Sequence, residues 1–324
     1  MWLDSKHFPH LFDLIIDHAD HDAMMVLRGT CKRACARVDA RLFKNVTVTF
    51  NNRAATFRTS AGAPGVVLPY EVLSDSGRDR DLLITDPATD PAANAVLSHA
   101  RIVDIHISKD CEYLYWADTD PSSVKVLRIF HTGDQPHRVG GGFMAPKLVV
   151  FCDLVQQPDI VRDWLRISAT SGMTALVLNV TYDPRLCPCV EYRWYEIPSL
   201  DDYVTELVIV FGRTTAGATP SSQPAWHCER ALYSVLEFVV FNTNATRKIT
   251  IVGMDLVDRE WVFMSSPAET RVIDHFRNHL RQGCAAMQSR KPEVTRDTSL
   301  VKFKTLEEYA AEVGAEEFAV NTAR

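Results

Sequence analysis

Short apolar segments recur through the middle of the chain, and they constrain its fold more than any other feature of the sequence. Each segment has the run of branched and apolar residues that is typical of a buried strand. The first four are separated by roughly 22 to 28 residues, and the later spacings are longer. We therefore predict six strands that lie side by side in one mainly parallel sheet. The segments are 102–107, 124–130, 148–151, 176–180, 207–211 and 249–252.

Helical connections between these segments support the parallel arrangement. One helix is predicted to open at Pro158 and to stop at Gly172, and another runs from Trp226 to about Val240. A strand, a helical return and a further strand imply right-handed parallel crossovers. Either a curved solenoid that resembles leucine-rich repeats or an open α/β sheet satisfies this pattern. The repeat, whose early period falls within that of leucine-rich repeats, favours the solenoid.

The composition limits the classes of function. The chain has 324 residues, a net charge of −6 and a sequence pI near 6.0. A general nucleic-acid-binding protein needs a basic face, so that class is not expected. No apolar run approaches the roughly 20 residues that span a bilayer, and the N-terminus lacks the pattern of a signal peptide. We expect a cytoplasmic or nuclear protein without membrane contact, in which the eight cysteines are reduced.

Residues 1–50 are predicted to form three short helices and the start of a strand. Pro9 suits the first turn of a helix that continues through a run of apolar residues. Asp22 is a candidate N-cap for the second helix. The third helix is predicted over 31–42 and is basic on one side, and the alternation that begins at Val46 indicates a strand.

This N-terminal segment resembles an F-box, the module that joins a protein to the adaptor of a cullin–RING ubiquitin ligase. Phe8 and Pro9 stand where the family has Leu-Pro, and residues 31–33 match its Val-Cys-Lys/Arg-Arg region. Residues 42–48 match the closing Leu-Trp pair and the first strand of the family. The chain departs from the family pattern at Leu11 and Ala34.

The resemblance implies a substrate receptor of an SCF-type ubiquitin ligase, a subunit with no catalytic residue and no cofactor. The adaptor, and through it the cullin, would dock on the N-terminal helices, while an unknown protein substrate would bind the repeats. Leu42 and Phe43 would tie the helical module to the body. The combination is similar to F-box-like families of fungi. The residues expected at the adaptor contact are Phe8, Pro9, Leu14, Ile16 and Leu27.

Other interpretations stay open. A plain three-helix cap on the following domain also satisfies the N-terminal pattern. A non-catalytic interaction scaffold could keep the same fold without binding the adaptor. An α/β enzyme with an unrecognised site is the third possibility, and a deep pocket at the carboxyl ends of the strands would favour it.

The whole pattern predicts an α+β or α/β architecture in four parts. Residues 1–50 are the F-box-like helical module, and 51–100 are a connecting region that contains the first strands. Residues 101–260 are the leucine-rich-repeat-like body, and 261–324 are a helical cap over its last apolar face. Capping boxes at 266–269 and 305–308 open helices in the cap, the first of which is predicted to end at Gly283 before a polar loop over 284–299.

Other clusters have the residue types of functional sites, but each has a plainer interpretation. Cys187 and Cys189 supply two of the four ligands of a structural zinc site, so no metal is expected. Glycines 140–142 lack the lysine of a phosphate loop and indicate a flexible connection, as does the polar segment 214–224. The aromatic group 192–195 fits either inter-repeat packing or a binding hot spot. A solvated turn is expected for His18, Asp20, His21 and Asp22.

Overall fold

The structure is a computed structural model, and within its described residues a group of N-terminal helices is followed by two sheets and four further helices. The described residues are 9–51, 54–59, 67–69, 71–73, 81–84, 97–107, 113–116, 123–131, 137–141, 145–154, 165–167, 172–182, 200, 202–213, 228–257, 271–293 and 295–323. The helices are α1 (Pro9–His18), α2 (His21–Arg28), α3 (Lys32–Leu42), α4 (Cys228–Asn242), α5 (Val272–Arg290), α6 (Leu306–Val313) and α7 (Ala315–Thr322). The strands are β1 (Asn45–Asn51), β2 (Ala54–Thr59), β3 (Val67–Pro69), β4 (Glu71–Leu73), β5 (Asp81–Ile84), β6 (Ile102–Ile107), β7 (Tyr113–Trp116), β8 (Val126–His131), β9 (His137–Gly141), β10 (Lys147–Leu154), β11 (Leu165–Ile167), β12 (Ala175–Tyr182), β13 (Glu206–Arg213), β14 (Lys248–Val252) and β15 (Val301–Lys304).

The three N-terminal helices form where the sequence predicts them, and local capping explains their starts. Pro9 is the first residue of α1. Asp20 caps α2, because its Oδ1 accepts a hydrogen bond from the backbone N–H of Ala23 at 2.8 Å. The prediction that Asp22 is this N-cap is wrong, since α2 begins at His21 and Asp22 therefore lies in its first turn.

Eight neighbouring strands of the larger sheet are parallel. Their order is β15-β14-β13-β12-β10-β8-β6-β1, and the antiparallel strands β2 and β3 continue the sheet beyond β1. All six apolar segments of the sequence lie in this parallel run, so the prediction of one mainly parallel sheet is confirmed. With the helices, the sheet gives an α/β class. Because β1 pairs with β6, the helical module leads directly into the sheet.

A second, smaller sheet alternates with the larger one along the chain. Its order is β11-β9-β7-β5-β4, and every pair except β4–β5 is parallel. Two predictions are wrong here. Leu165–Ile167 form β11, which pairs with β9, instead of part of a helix. The prediction failed because a segment of three residues is too short for its periodicity to distinguish a helix from a strand. Gly140 and Gly141 lie in β9, where they pair with β7, instead of in a flexible connection.

One face of the larger sheet packs against α4 and α5 and forms the main core. Alternate strand residues point to this face, since successive side chains of a strand lie on opposite sides. Ile105, Ile129 and Phe211 are buried there beside Phe238 of α4 and Phe276 of α5.

Helix α5 begins and ends later than the sequence predicts, since its N-cap is Arg271 and not a residue of the capping box at 266–269. Gly283 does not end it, and the helix continues to Arg290, so residues 284–290 are helical instead of a loop. A Cβ atom at Gly283 would lie 2.8 Å from Cγ2 of Val240 in α4. The glycine therefore permits the close approach of two helices. The capping box at 266–269 lies outside the described residues, whereas the box at Thr305 and Glu308 is confirmed by both of its hydrogen bonds.

We expect Gly253→Ala to lower the free energy of unfolding by about 2–4 kcal/mol. Gly253 follows β14 with a φ of +73°, and a Cβ atom there would lie 2.5 Å from the carbonyl oxygen of Phe211. Urea unfolding followed by circular dichroism measures the loss. Gly212→Ala is the matched control, because no atom lies within 4 Å of its added Cβ, and it should stay close to wild type. Equal losses in both variants would contradict the steric explanation.

Candidate functional site

The helical module has a small closed core. Its buried residues are contributed by all three helices: Ile16 by α1, Met24 by α2, and Val38 and Leu42 by α3. Three helices bury little apolar surface, so further contacts are needed to fix their positions.

Ion pairs between helices supply those contacts and explain the basic side of α3. Arg41 of α3 contacts Asp17 of α1, with 2.6 Å between Nη1 and Oδ1, and its Nη2 donates to the Asp17 carbonyl oxygen at 2.5 Å. Arg37 pairs with Asp13 one turn earlier. Arg37 and Arg41 thus join α3 to α1, and each pair that is exposed to solvent adds only about 0.2–1 kcal/mol.

A stronger contact joins α2 to α3. Nε of Arg28 donates to Oδ1 of Asp39 at 2.5 Å, and Nη2 donates to Oδ2 at 3.4 Å. The hydrogen bond to Asp39 raises the pKa of Arg28. Asp39 is buried and also accepts from the Cys35 thiol at 3.4 Å, so its carboxylate holds α2 and α3 in one arrangement.

An apolar stripe on α1 is left exposed by this packing. Leu14 is 53% exposed and Ile15 is 45% exposed, and Leu11 is exposed one turn before them. Positions i, i+3 and i+4 share one face of a helix, so these three side chains form a continuous strip. On α2, Met25 and Val26 are also exposed, Val26 to 72%. We call Leu11, Leu14 and Ile15 the α1 stripe.

The residues that the sequence indicates for adaptor contact divide between this surface and the core. Leu14 belongs to the α1 stripe, and Pro9 is exposed at the start of α1. Ile16 is 4% exposed and lies in the module core, so it supports the surface from beneath. Leu27 is half-buried against the same core, and Phe8 lies outside the described residues. The exposed residues Leu11, Ile15, Met25 and Val26 are not among the residues predicted from the sequence.

Phe43 joins the helical module to the body of the protein. Phe43 packs against both the module core and the main core of the sheet. Its ring also stacks on His99, with 6.5 Å between the ring centroids. Leu42 is buried in the module core. Of the two residues predicted to tie the module to the body, Phe43 is the one that packs against both cores.

The second candidate surface is the front face of the larger sheet, which we define as the face opposite α4 and α5. The strands place residues in register across it, so that Val149, Val177 and Val208 are neighbours on successive strands. Three stacked rings lie beside these valines on the same face. The ring centroids of His106 and Phe130, and those of Phe130 and Phe151, are each 4.5 Å apart. Burial lowers the pKa of His106, which favours its neutral form.

The last two helices cover this front face, and we call them the C-terminal hairpin (residues 306–322). Tyr309 belongs to the same buried cluster as the valines of β10, β12 and β13, and Phe318 packs edge-on to its ring at a centroid distance of 6.1 Å. Burial raises the pKa of Tyr309 to about 12. The C-terminal hairpin therefore reaches from β15, which α6 contacts, to β12, which α7 contacts.

Polar contacts fix the position of the C-terminal hairpin on the front face. The side-chain amide of Asn179 donates to the carbonyl oxygen of Asn321 at 2.6 Å, and the amide of Asn321 donates to the Tyr309 hydroxyl at 2.7 Å. Nη1 of Arg128 donates to the Ala323 carbonyl oxygen at 3.0 Å. Arg128 is itself held by a bidentate pair with Asp104 of β6.

The remaining candidates of the sequence lie mostly outside the described residues. These are Cys187 and Cys189, the aromatic group 192–195 and the segment 214–224. Within the described ranges, no group of three or more His, Cys, Asp or Glu residues could hold a metal ion. Among the described helices, none is long and apolar enough to cross a bilayer. The segments after the carboxyl ends of β6, β8, β10, β12 and β13 are also outside the description, so the enzyme interpretation stays untested.

No protein-family model, no curated protein and no solved structure matches the chain in comparisons with known proteins.

Proposed function

We propose that this chain is a substrate receptor of an SCF-type ubiquitin ligase that docks on the adaptor through its helical module. The α1 stripe is the observation that carries this proposal. Exposed Leu14 and Ile15 contribute little to folding, because the module core is already closed by Ile16 and its neighbours. A contiguous apolar strip on one helix is the form of surface that inserts into a groove of a partner.

The packing of the module supports the same proposal. The ion pairs of α1 with α3, and of Arg28 with Asp39, fix the helices before any partner binds. A preorganised surface loses less conformational entropy on association, so more of its contact energy appears as affinity. A three-helix order followed at once by a strand is also the order that the F-box resemblance implies.

The body fits the receptor role through its shape. Parallel strands that stay in sequential order, most of them with a described return through the second sheet or a helix, build an extended surface of the kind that leucine-rich-repeat-like solenoids offer to proteins. In this role the chain positions a substrate, and the ubiquitin transfer occurs on the enzymes that the cullin recruits. No catalytic residue and no cofactor of this chain is required.

Affinity purification of the tagged full chain, followed by mass spectrometry, tests this function. We expect adaptor and cullin peptides to be recovered with the wild-type chain and to be absent from an unrelated tagged control. Recovery of other proteins without adaptor or cullin would favour the interaction scaffold instead. The purification is done in cells that contain cullin–RING ligases, so that the adaptor is present at its natural concentration.

A further inference from the structure

The front face of the sheet and the C-terminal hairpin are complementary in charge. Residues 306–323 contain five glutamates and no lysine or arginine. Three of these glutamates pair with lysines around the front face. The pairs are Glu316 with Lys44, Glu317 with Lys147 and Glu312 with Lys304.

Further cations lie on the same side of the sheet. Lys248 begins β14, and Lys302 lies on β15, where it is a neighbour of the front-face residue Thr250. The pKa of Lys304 is lowered, first by burial and then by the charges of Lys248 and Lys302. Without the hairpin, the front face would be an apolar strip of valines with a mainly basic rim, in which Glu206 pairs with Lys248.

The fit of the hairpin to this surface is incomplete. Among the described residues, Oδ1 of Asn321 is buried without a hydrogen-bond partner. A buried acceptor without a donor weakens the complex that contains it. The two helices have only eight residues each, and Gly314 joins them in a conformation, with φ +84° and ψ 161°, that glycine alone adopts readily. The hairpin is thus a short separate unit held by side-chain contacts.

We propose that the front face is a binding surface for an acidic amphipathic helix of a partner protein, and that the C-terminal hairpin occupies it as an intramolecular competitor. A partner would bury the same valines and would pair its own carboxylates with Lys44, Lys147 and Lys304. Nucleic acid would satisfy the basic rim but not the apolar centre, so a helical peptide is the occupant that the chemistry favours. The inference concerns a surface other than the adaptor contact and holds whether or not the chain docks on an adaptor.

The probe is a labelled synthetic peptide of residues 305–323, because this peptide contains the whole C-terminal hairpin. Its binding is measured by fluorescence anisotropy to the full wild-type chain and to the full-chain variant Tyr309→Ala/Phe318→Ala, which loses both aromatic anchors of its own hairpin. An intramolecular competitor lowers the apparent affinity in proportion to the fraction of molecules in which the hairpin is detached from the front face. The variant should therefore bind the peptide about tenfold or more tightly than wild type. Glu307→Ala, an exposed position on α6, is the control and should bind like wild type.

Two further measurements make the result decisive. A peptide with lysine at positions 312, 316 and 317 should bind the variant at least about tenfold more weakly than the native peptide, as a charge-complementary site requires. Hydrogen exchange of the variant should show that β10, β12 and β13 stay protected. A folded variant that does not bind the native peptide better than wild type does would overturn the proposal. So would global loss of protection, because the hairpin would then be an inseparable part of the core.

Discussion

Arg247→Met should lower the free energy of unfolding by about 3–5 kcal/mol. Arg247 is 2% exposed, and its guanidinium donates to three backbone carbonyl oxygens. The distances are 2.7 Å from Nε to Val204, 2.8 Å from Nη2 to Leu200 and 2.8 Å from Nη1 to Asn242. Methionine fills much of the volume but donates no hydrogen bond, so three buried acceptors would lose their donors.

The position of Arg247 explains why one side chain has so large an effect. It joins the segment before β13, the end of α4 and the start of β14. Asn242 strengthens the junction, because its Oδ1 accepts from the Leu200 backbone N–H at 2.7 Å. Urea unfolding by circular dichroism measures the loss. Lys248→Met removes the same charge at the next, more exposed residue and should change stability by less than about 0.5 kcal/mol. Similar losses in the two variants would contradict the assigned role of Arg247.

Leu14→Asp/Ile15→Asp should weaken the proposed adaptor complex by about a thousandfold. Loss of one buried apolar anchor costs an interface about 2 kcal/mol, and two such losses correspond to about three powers of ten in Kd. The carboxylates would also have to leave water in order to enter an apolar contact. Both side chains are half exposed in the free chain, so its circular dichroism spectrum should not change.

Ala36→Asp/Ala40→Asp is the matched control for the α1 stripe variant. Both alanines are exposed on α3, away from the stripe, and the substitutions add the same charge. This control should bind the adaptor within about threefold of wild type, since exposed positions outside a contact rarely matter by more than about 0.5 kcal/mol. Equal loss in both variants would point to net charge instead of the stripe.

The sequence predicted the strands of the large sheet because their apolar cores are short, spaced and separated by polar residues. The same argument missed β7, β9 and β11 of the second sheet, which are only three to five residues long. Gly283 shows another limit. A glycine late in a helix predicts a stop, but here it permits contact with Val240, and that contact exists only in the tertiary structure.

The candidate surfaces were predictable only in part. Residues 11–16 of α1 are almost all apolar, so periodicity could not separate the buried Ile16 from the exposed Ile15. The place of the C-terminal hairpin depends on distant strands and has no local signal. One global signal does exist, because 306–323 has only acidic charges while Lys147, Lys248 and Lys304 fall on strands or their edges.

Calorimetric titration of the purified full chain with a purified SCF adaptor measures docking on the helical module. We expect a one-to-one complex with a Kd of about 1 μM or tighter, which corresponds to about 8 kcal/mol of binding free energy. The complex should be lost in Leu14→Asp/Ile15→Asp and retained in Ala36→Asp/Ala40→Asp. No complex with the folded wild-type chain, or unchanged affinity in the stripe variant, would contradict docking through the α1 stripe.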